Sequence, residues 1–168
     1  RVQSSALMAD SPLIRLDHVS IRHGAHIILQ DIQADVREGE LVYLIGRTGS
    51  GKSSLLRTLY GDLPMASGEG HVCGFKLSHL KPRNVHQLRR KLGMVFQDFG
   101  LLEDRSVGDN LDFALVATGW KDKTARKNRI EEVLTMVGLP HKAYKQPFEL
   151  SGGEQQRVAI ARALLNDP

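Results

Sequence analysis

The residues best suited to chemistry lie in "GRTGSGKS": Gly46, Arg47, Thr48, Gly49, Ser50, Gly51, Lys52 and Ser53. Their spacing is G-x-x-x-x-G-K-[ST]. Glycines let backbone N–H groups turn inward without Cβ clashes and line an anion-binding nest. A helix starting at Ser53 aims its unpaired N–H groups at the same point, worth about 0.3–1 kcal/mol per contact. Lys52 then reaches the outer phosphates of a nucleoside triphosphate, and the Ser53 hydroxyl ligates Mg²⁺. Ser54 completes the phosphate-binding set. An apolar segment leads in and a helical one leads out, the context that separates such a loop from a chance glycine turn.

A second turn of similar chemistry is "LSGGEQQR". Ser151 is a good helix N-cap, and Gly152 and Gly153 leave their backbone N–H groups bare. Together with Glu154 they form a second candidate anion site on a second helix N-terminus. S-x-x-E is also a capping box, so an ordinary capped helix explains the same four residues.

The elements that must position these two turns follow from hydrophobic periodicity. Residues 12–21 and 26–36 read as strands, the first alternating apolar and polar. "LVYLIG" (41–46) is apolar without alternation, as expected of a parallel strand covered on both faces. "SSLLRTLYGDL" has helical spacing at Leu55, Leu56 and Leu59. A short strand is expected within 68–75, a helix ending near Gly93, and a short buried strand over 92–98. From Phe99 the texture turns helical. "SVGDNLDFALVATG" and "DKTARKNRIEEVLTMVG" are amphipathic, the second with Ile130, Val133, Leu134 and Val137 on one face. Gly138 stops it and Pro140 blocks continuation. The expected organisation is a leader (a tag or disordered segment) over 1–12, an α/β core over 13–98, a helical subdomain over 99–157, and a helix over 158–168 leading back towards the core. Met8 is a plausible start.

Composition sets limits. With 168 residues and 41% hydrophobic content the chain can bury a core. No apolar run is long enough to cross a bilayer. The single cysteine, Cys73, excludes an internal disulfide and reads as an inert residue on or beside a strand. The net charge of +4 comes from scattered basic residues, read as solvated faces rather than a nucleic-acid patch.

The phosphate loop, Gln97 in "VFQD" and "LSGGEQQRVAIARAL", in that order, resemble the nucleotide-binding domain of ABC ATPases over about residues 13–168. The resemblance implies an α/β P-loop NTPase core of the RecA-like kind with a helical subdomain inserted. It implies ATP and Mg²⁺ as cofactors, Ser53 and Gln97 as metal residues, and Gln97 as the hinge of the helical insertion. It further implies a head-to-tail homodimer in which Ser151, Gly152 and Gly153 of one subunit touch the γ-phosphate held by Lys52 of the other. Within the family, "VFQDFGLLEDRSVGDNL" is similar to the FtsE subfamily of cell-division ATPases, chiefly through Asp104-Arg105. That subfamily implies an integral membrane partner of the FtsX kind and a peripheral place on the cytoplasmic face of the inner membrane. The lipoprotein-release and macrolide-efflux ATPases are similar over most of the same length.

Two departures stand out. "SIRHGAHI" carries no aromatic to stack on adenine, which leaves His23 or the guanidinium of Arg22. The family's metal-binding aspartate, water-orienting glutamate and switch histidine have no counterparts here. The expectation is a domain incomplete at its C-terminal side, with no catalytic residue of its own, part of its sheet unpaired, and almost no turnover or solubility by itself. A soluble ABC ATPase acting on nucleic acid is the competing class, disfavoured because no long heptad insertion separates Lys52 from Ser151. A module that binds nucleotide without hydrolysing it is the third.

Overall fold

The computed structural model describes residues 11–168, which divide into two compact units, one ending at Arg89 and the other Arg90–Pro168. The expected leader lies almost wholly outside the described residues.

The first unit combines a four-stranded antiparallel sheet with two α-helices. Strands β1 (Ile14–His23), β2 (His26–Val36), β3 (Met65–Val72) and β4 (Phe75–Lys76) are ordered β2-β1-β3-β4. β1 pairs with β2 from Ile14↔Val36 to His23↔His26, and its other edge pairs with β3 from Ile14↔Val72 to Ile21↔Met65. The apolar residues of β1 slip phase by one, since Ile14 and Leu16 are followed by Val19 and Ile21. Side chains alternate along a strand, so a regular ladder would turn the second pair outward. A bulge absorbs the slip between Leu16 and Val19, with His18 left-handed at φ 48. Leu16, Val19 and Ile21 all end up buried. The bulge backs onto β3 at Gly68, where an added Cβ would stand 2.3 Å from the His18 carbonyl oxygen, so only glycine fits. Cys73 sits at the β3–β4 turn.

Helix α1 (Lys52–Leu59) lays Leu55 on this sheet beside Leu16, Val19 and Ile21, with Leu29, Ile32, Leu59 and Met65 around them. Fully burying one such side chain contributes about 1.5–3 kcal/mol. Helix α2 (Val85–Arg89) is shorter than its pattern suggested, and its Leu88 is buried.

Two expected strands do not form. Residues 41–46 and 92–98 carry no ladder, and both stretches expose apolar side chains: Leu41 is 79% exposed, Ile45 89% and Phe96 43%. A parallel strand needs a hydrogen-bonded neighbour and cover on its faces. No strand among the described residues pairs with either segment. The apolar runs are real, but strand identity depends on partners that a run alone does not specify.

The second unit is a three-helix packing. α3 (Val107–Ala117), α4 (Lys123–Met136) and α5 (Gly152–Leu164) bury Val107, Leu111 and Leu115, then Ile130, Val133 and Leu134, then Val158, Ala161 and, just past the helix, Leu165. These are i, i+3 and i, i+4 spacings, one stripe per helix. Each helix begins at a side-chain cap. Ser106 accepts from Asp109 N (3.1 Å), and Asp122 accepts from Thr124 N (2.8 Å) and Ala125 N (3.3 Å). Gly138, left-handed at φ 71, follows α4 and turns the chain. Arg129, with only 11% of its side chain exposed, donates to the carbonyls of Leu164 (2.7 Å) and Leu165 (3.1 Å) and so ties α4 to the end of α5. Buried Asn110 fixes the loop before α3. It accepts from Leu102 N (2.7 Å) and donates to the carbonyls of Leu102, Arg105 and Ser106 at 2.9–3.1 Å.

Candidate functional site

The phosphate-loop residues Gly46 to Ser54 run into the N-terminus of α1, and Gly46 to Ser50 are all exposed. Two glycines make the turn possible: Gly49 and Gly51 are left-handed, at φ 80 and φ 90. Gly51 is also crowded, because a Cβ there would come within 2.8 Å of Ile28 and Leu29 side-chain carbons on β2. The loop is thus moulded on the sheet from below and open above. Ser50 N donates to Arg47 O at 3.1 Å and closes the turn. Lys52 Nζ folds back over the loop and donates to the carbonyls of Gly46 (2.8 Å) and Arg47 (2.7 Å). No side chain caps α1, so its first N–H groups have no side-chain acceptor, and Ser53 is exposed. His23 lies in the same unit, exposed at the end of β1, across a hairpin turn containing Gly24.

The second turn is built in the other unit. Ser151 caps α5, accepting from Glu154 N (3.3 Å), while Ser151 N donates to Glu154 Oε2 at 2.9 Å. The capping box therefore forms. Lys142 approaches the other carboxylate oxygen at 3.4 Å. The Ser151 backbone N–H, its hydroxyl and Lys142 together hold the Glu154 carboxyl below the ordinary glutamate value of 4.5. A lowered folded-state pKa stabilises the fold above the ordinary value, and that contribution is lost as pH falls through the lowered one. The first turn of α5 is therefore expected to fray on acidification below pH 4.5, and Glu154→Gln to remove this pH dependence. Amide exchange at Gly153 and Glu154 across pH reads it; the same acid response in Glu154→Gln would refute it.

Gly152 and Gly153 are exposed at the tip. An added Cβ would meet nothing within 4 Å at Gly152, and only Arg157 Nη1, at 3.9 Å, at Gly153. Nothing in the chain itself requires glycine at either position. Gln97 is exposed and lies within a tight turn over 96–100, in the same unit as Ser151. Ser53 and Gln97 fall in different units. Among the described residues no group of three or more His, Cys, Asp or Glu could hold a metal.

Residues 29–168 match the family model described as ABC transporter. The chain belongs to the ABC transporter family. This ABC ATPase is 47% identical over 158 residues to the cell division ATP-binding protein FtsE of Mycobacterium tuberculosis, covering 93% of this chain and 68% of that one. It is 42% identical over 160 residues to the methionine import ATP-binding protein MetN 1 of Acinetobacter baylyi, covering 90% of this chain and 45% of that one. Among solved structures it resembles a bacterial ABC transporter cassette in dimeric form, with TM-score 0.80 and 35% identity, covering 92% of this chain and 70% of the other. The same cassette in a post-hydrolysis state, bound to ADP and Pi, also gives TM-score 0.80. The chain spans 60–70% of the length of the FtsE relatives it matches. The mixed α/β fold is therefore that of an ABC ATPase, a family that binds ATP. No helix among the described residues is long and apolar enough to cross a membrane.

Two residues with clear structural work escaped the sequence reading. Asn110 stands in the first turn of α3 between buried Val107 and Leu111, where an amide is out of place without partners. Arg162 sits inside the motif that carried the resemblance, yet nothing in its spacing shows that it bonds a turn more than sixty residues away.

Proposed function

We propose that this chain is the ATP-binding part of a membrane-coupled ABC ATPase of the FtsE type. Two copies pair head-to-tail, and each nucleotide lies between Lys52 of one subunit and Ser151, Gly152 and Gly153 of the other. The observation that carries this reading is the empty space around Gly152 and Gly153. Glycine in a helix costs up to about 1 kcal/mol relative to alanine, and nothing inside the chain repays it here. A group arriving from outside does, if the bare N–H groups must approach it closely.

ATP fits the phosphate loop because its open side presents N–H groups, an ammonium and a hydroxyl together. Ser53 and Gln97, both exposed, would each offer Mg²⁺ an oxygen donor, and the ion would supply charge neutralisation on the phosphates. Arg22 or His23 offers the stacking face for the base. Hydrolysis in the whole protein needs a carboxylate to orient water, and residues 11–168 bring none to the loop by motif; the chain alone is expected to bind ATP and turn it over very slowly.

A membrane partner of the FtsX kind, with the chain on the cytoplasmic face, would dock on the helical unit. Leu102, Phe113 and Val116 are exposed there, Arg105 lies 4.8 Å over the Phe113 ring, and a hollow of about 360 Å³ is lined by Arg105, Phe113 and Val116. The similarity to FtsE over 93% of the chain favours this partner; similarity to MetN over 90% keeps a methionine-importer partner as the second reading. Sedimentation of the complete protein tests the pairing. Mass is expected to double with ATP and Mg²⁺ when turnover is blocked, and to return to the monomer with ADP. A monomer under both conditions would end the head-to-tail reading. Co-purification with an FtsX-like or a MetN-type membrane protein decides between the partners.

A further inference from the structure

The turn that contains Gln97 is held in an unfavourable conformation by a residue on α5. Phe99 and Gly100 are both left-handed, at φ 57 and φ 54, and phenylalanine rarely adopts that region. Local bonds shape the turn: Phe99 N donates to Phe96 O at 3.1 Å and Gly100 N to Asp98 O at 2.6 Å. The guanidinium of Arg162 then donates to both carbonyls at once, Nη1 to Gly100 O and Nη2 to Phe99 O. Burial pushes the Arg162 pKa down, with Asp98 opposing. A partly desolvated cation is costly, and arginine's planar fork is the side chain that meets two adjacent acceptors at fixed geometry. Arg162 lies eleven residues beyond Ser151, about three turns along one rigid helix.

We propose that Arg162 is a positioning residue that pins the turn containing Gln97 to α5, so that engagement of Ser151, Gly152 and Gly153 with a partner's nucleotide is transmitted to Gln97. The second half of this proposal rests on the ATPase reading above; the pin itself does not.

Two measurements on the complete protein separate them. Hydrogen exchange at Phe99 and Gly100 is compared in wild type, Arg162→Ala and Arg162→Lys. Both variants are expected to exchange about tenfold faster there or more, while the α4 amides of Val133 and Leu134 keep their protection. Lysine is expected not to rescue, because a point charge cannot span both carbonyls. Unchanged exchange at Phe99 and Gly100 overturns the pin. ATP turnover is then measured with and without Gln97→Ala. Arg162→Ala is expected to lower kcat about tenfold, leave KM for ATP within about twofold, and have no further effect once Gln97 is alanine. Equal fold-losses in the two backgrounds overturn transmission to Gln97, since a packing defect acts in both. Absence of turnover in wild type defeats the ATPase reading instead, and the exchange result still judges the pin.

Discussion

Lys52→Ala in the complete protein is expected to lower ATP turnover by about 10²–10³-fold, the usual loss when one preorganised donor to developing charge is removed. That corresponds to about 3–4 kcal/mol of transition-state stabilisation. The structure says why the effect should be on chemistry and not on folding. Lys52 Nζ bonds two carbonyls of its own loop, Gly46 and Arg47, and both residues are exposed. Water replaces those bonds when the ammonium goes, so the stability change should stay near or below about 1 kcal/mol. For a chain of this size that is a melting shift of about 2–4 °C. Lys52→Arg is expected to recover little, because a wide planar guanidinium does not fit where a compact ammonium sits over a tight loop. Turnover by Lys52→Ala equal to wild type would remove hydrolysis from the description of this protein. A large melting shift would show instead that the lysine is a structural tie.

The loop was legible in the sequence because its chemistry is local. Eight consecutive residues supply the turn, the donors and the helix N-terminus, and no distant partner is needed to recognise them. The α4 stripe was legible for the same reason, since 3.6-residue spacing records which side faces the core: Ile130, Val133 and Leu134 are buried as their spacing indicates, and Val137 is half-buried against them. The strand expectations at 41–46 and 92–98 failed because an apolar run states only that a segment wants cover. Whether it forms a strand depends on neighbours elsewhere in the chain or beyond it. β1 shows the intermediate case. The slip from Leu16 to Val19 is written in the residues, but only the facing strands reveal that a bulge at His18 resolves it. Arg162 and Asn110 were illegible because their work is to satisfy backbone carbonyls, and a carbonyl in need of a donor leaves no mark on residue type.

Substitution at Gly153 is expected to move stability and activity in opposite directions. Gly153→Ala adds a methyl where the nearest heavy atom is Arg157 Nη1 at 3.9 Å. Alanine is the better helix former by up to about 1 kcal/mol, less in a first turn, so the folded chain should gain slightly. Gly153→Asp places a carboxylate at a helix N-terminus, which the helix dipole favours by about 0.3–1 kcal/mol, although Glu154 beside it opposes the gain. Neither variant should unfold the unit. If the bare N–H groups of Gly152 and Gly153 close on a partner's γ-phosphate, the methyl displaces that phosphate by an ångström or so, enough to cost about 10²-fold. The aspartate adds repulsion between like charges at close range and should abolish ATP-dependent pairing altogether. Thermal melts and ATP-dependent sedimentation of the same preparations read the two effects. Variants that melt at or above wild type and fail to pair are the expected result. Variants that pair and hydrolyse normally would mean that no phosphate approaches this helix, because open space around a glycine matters only when something has to enter it.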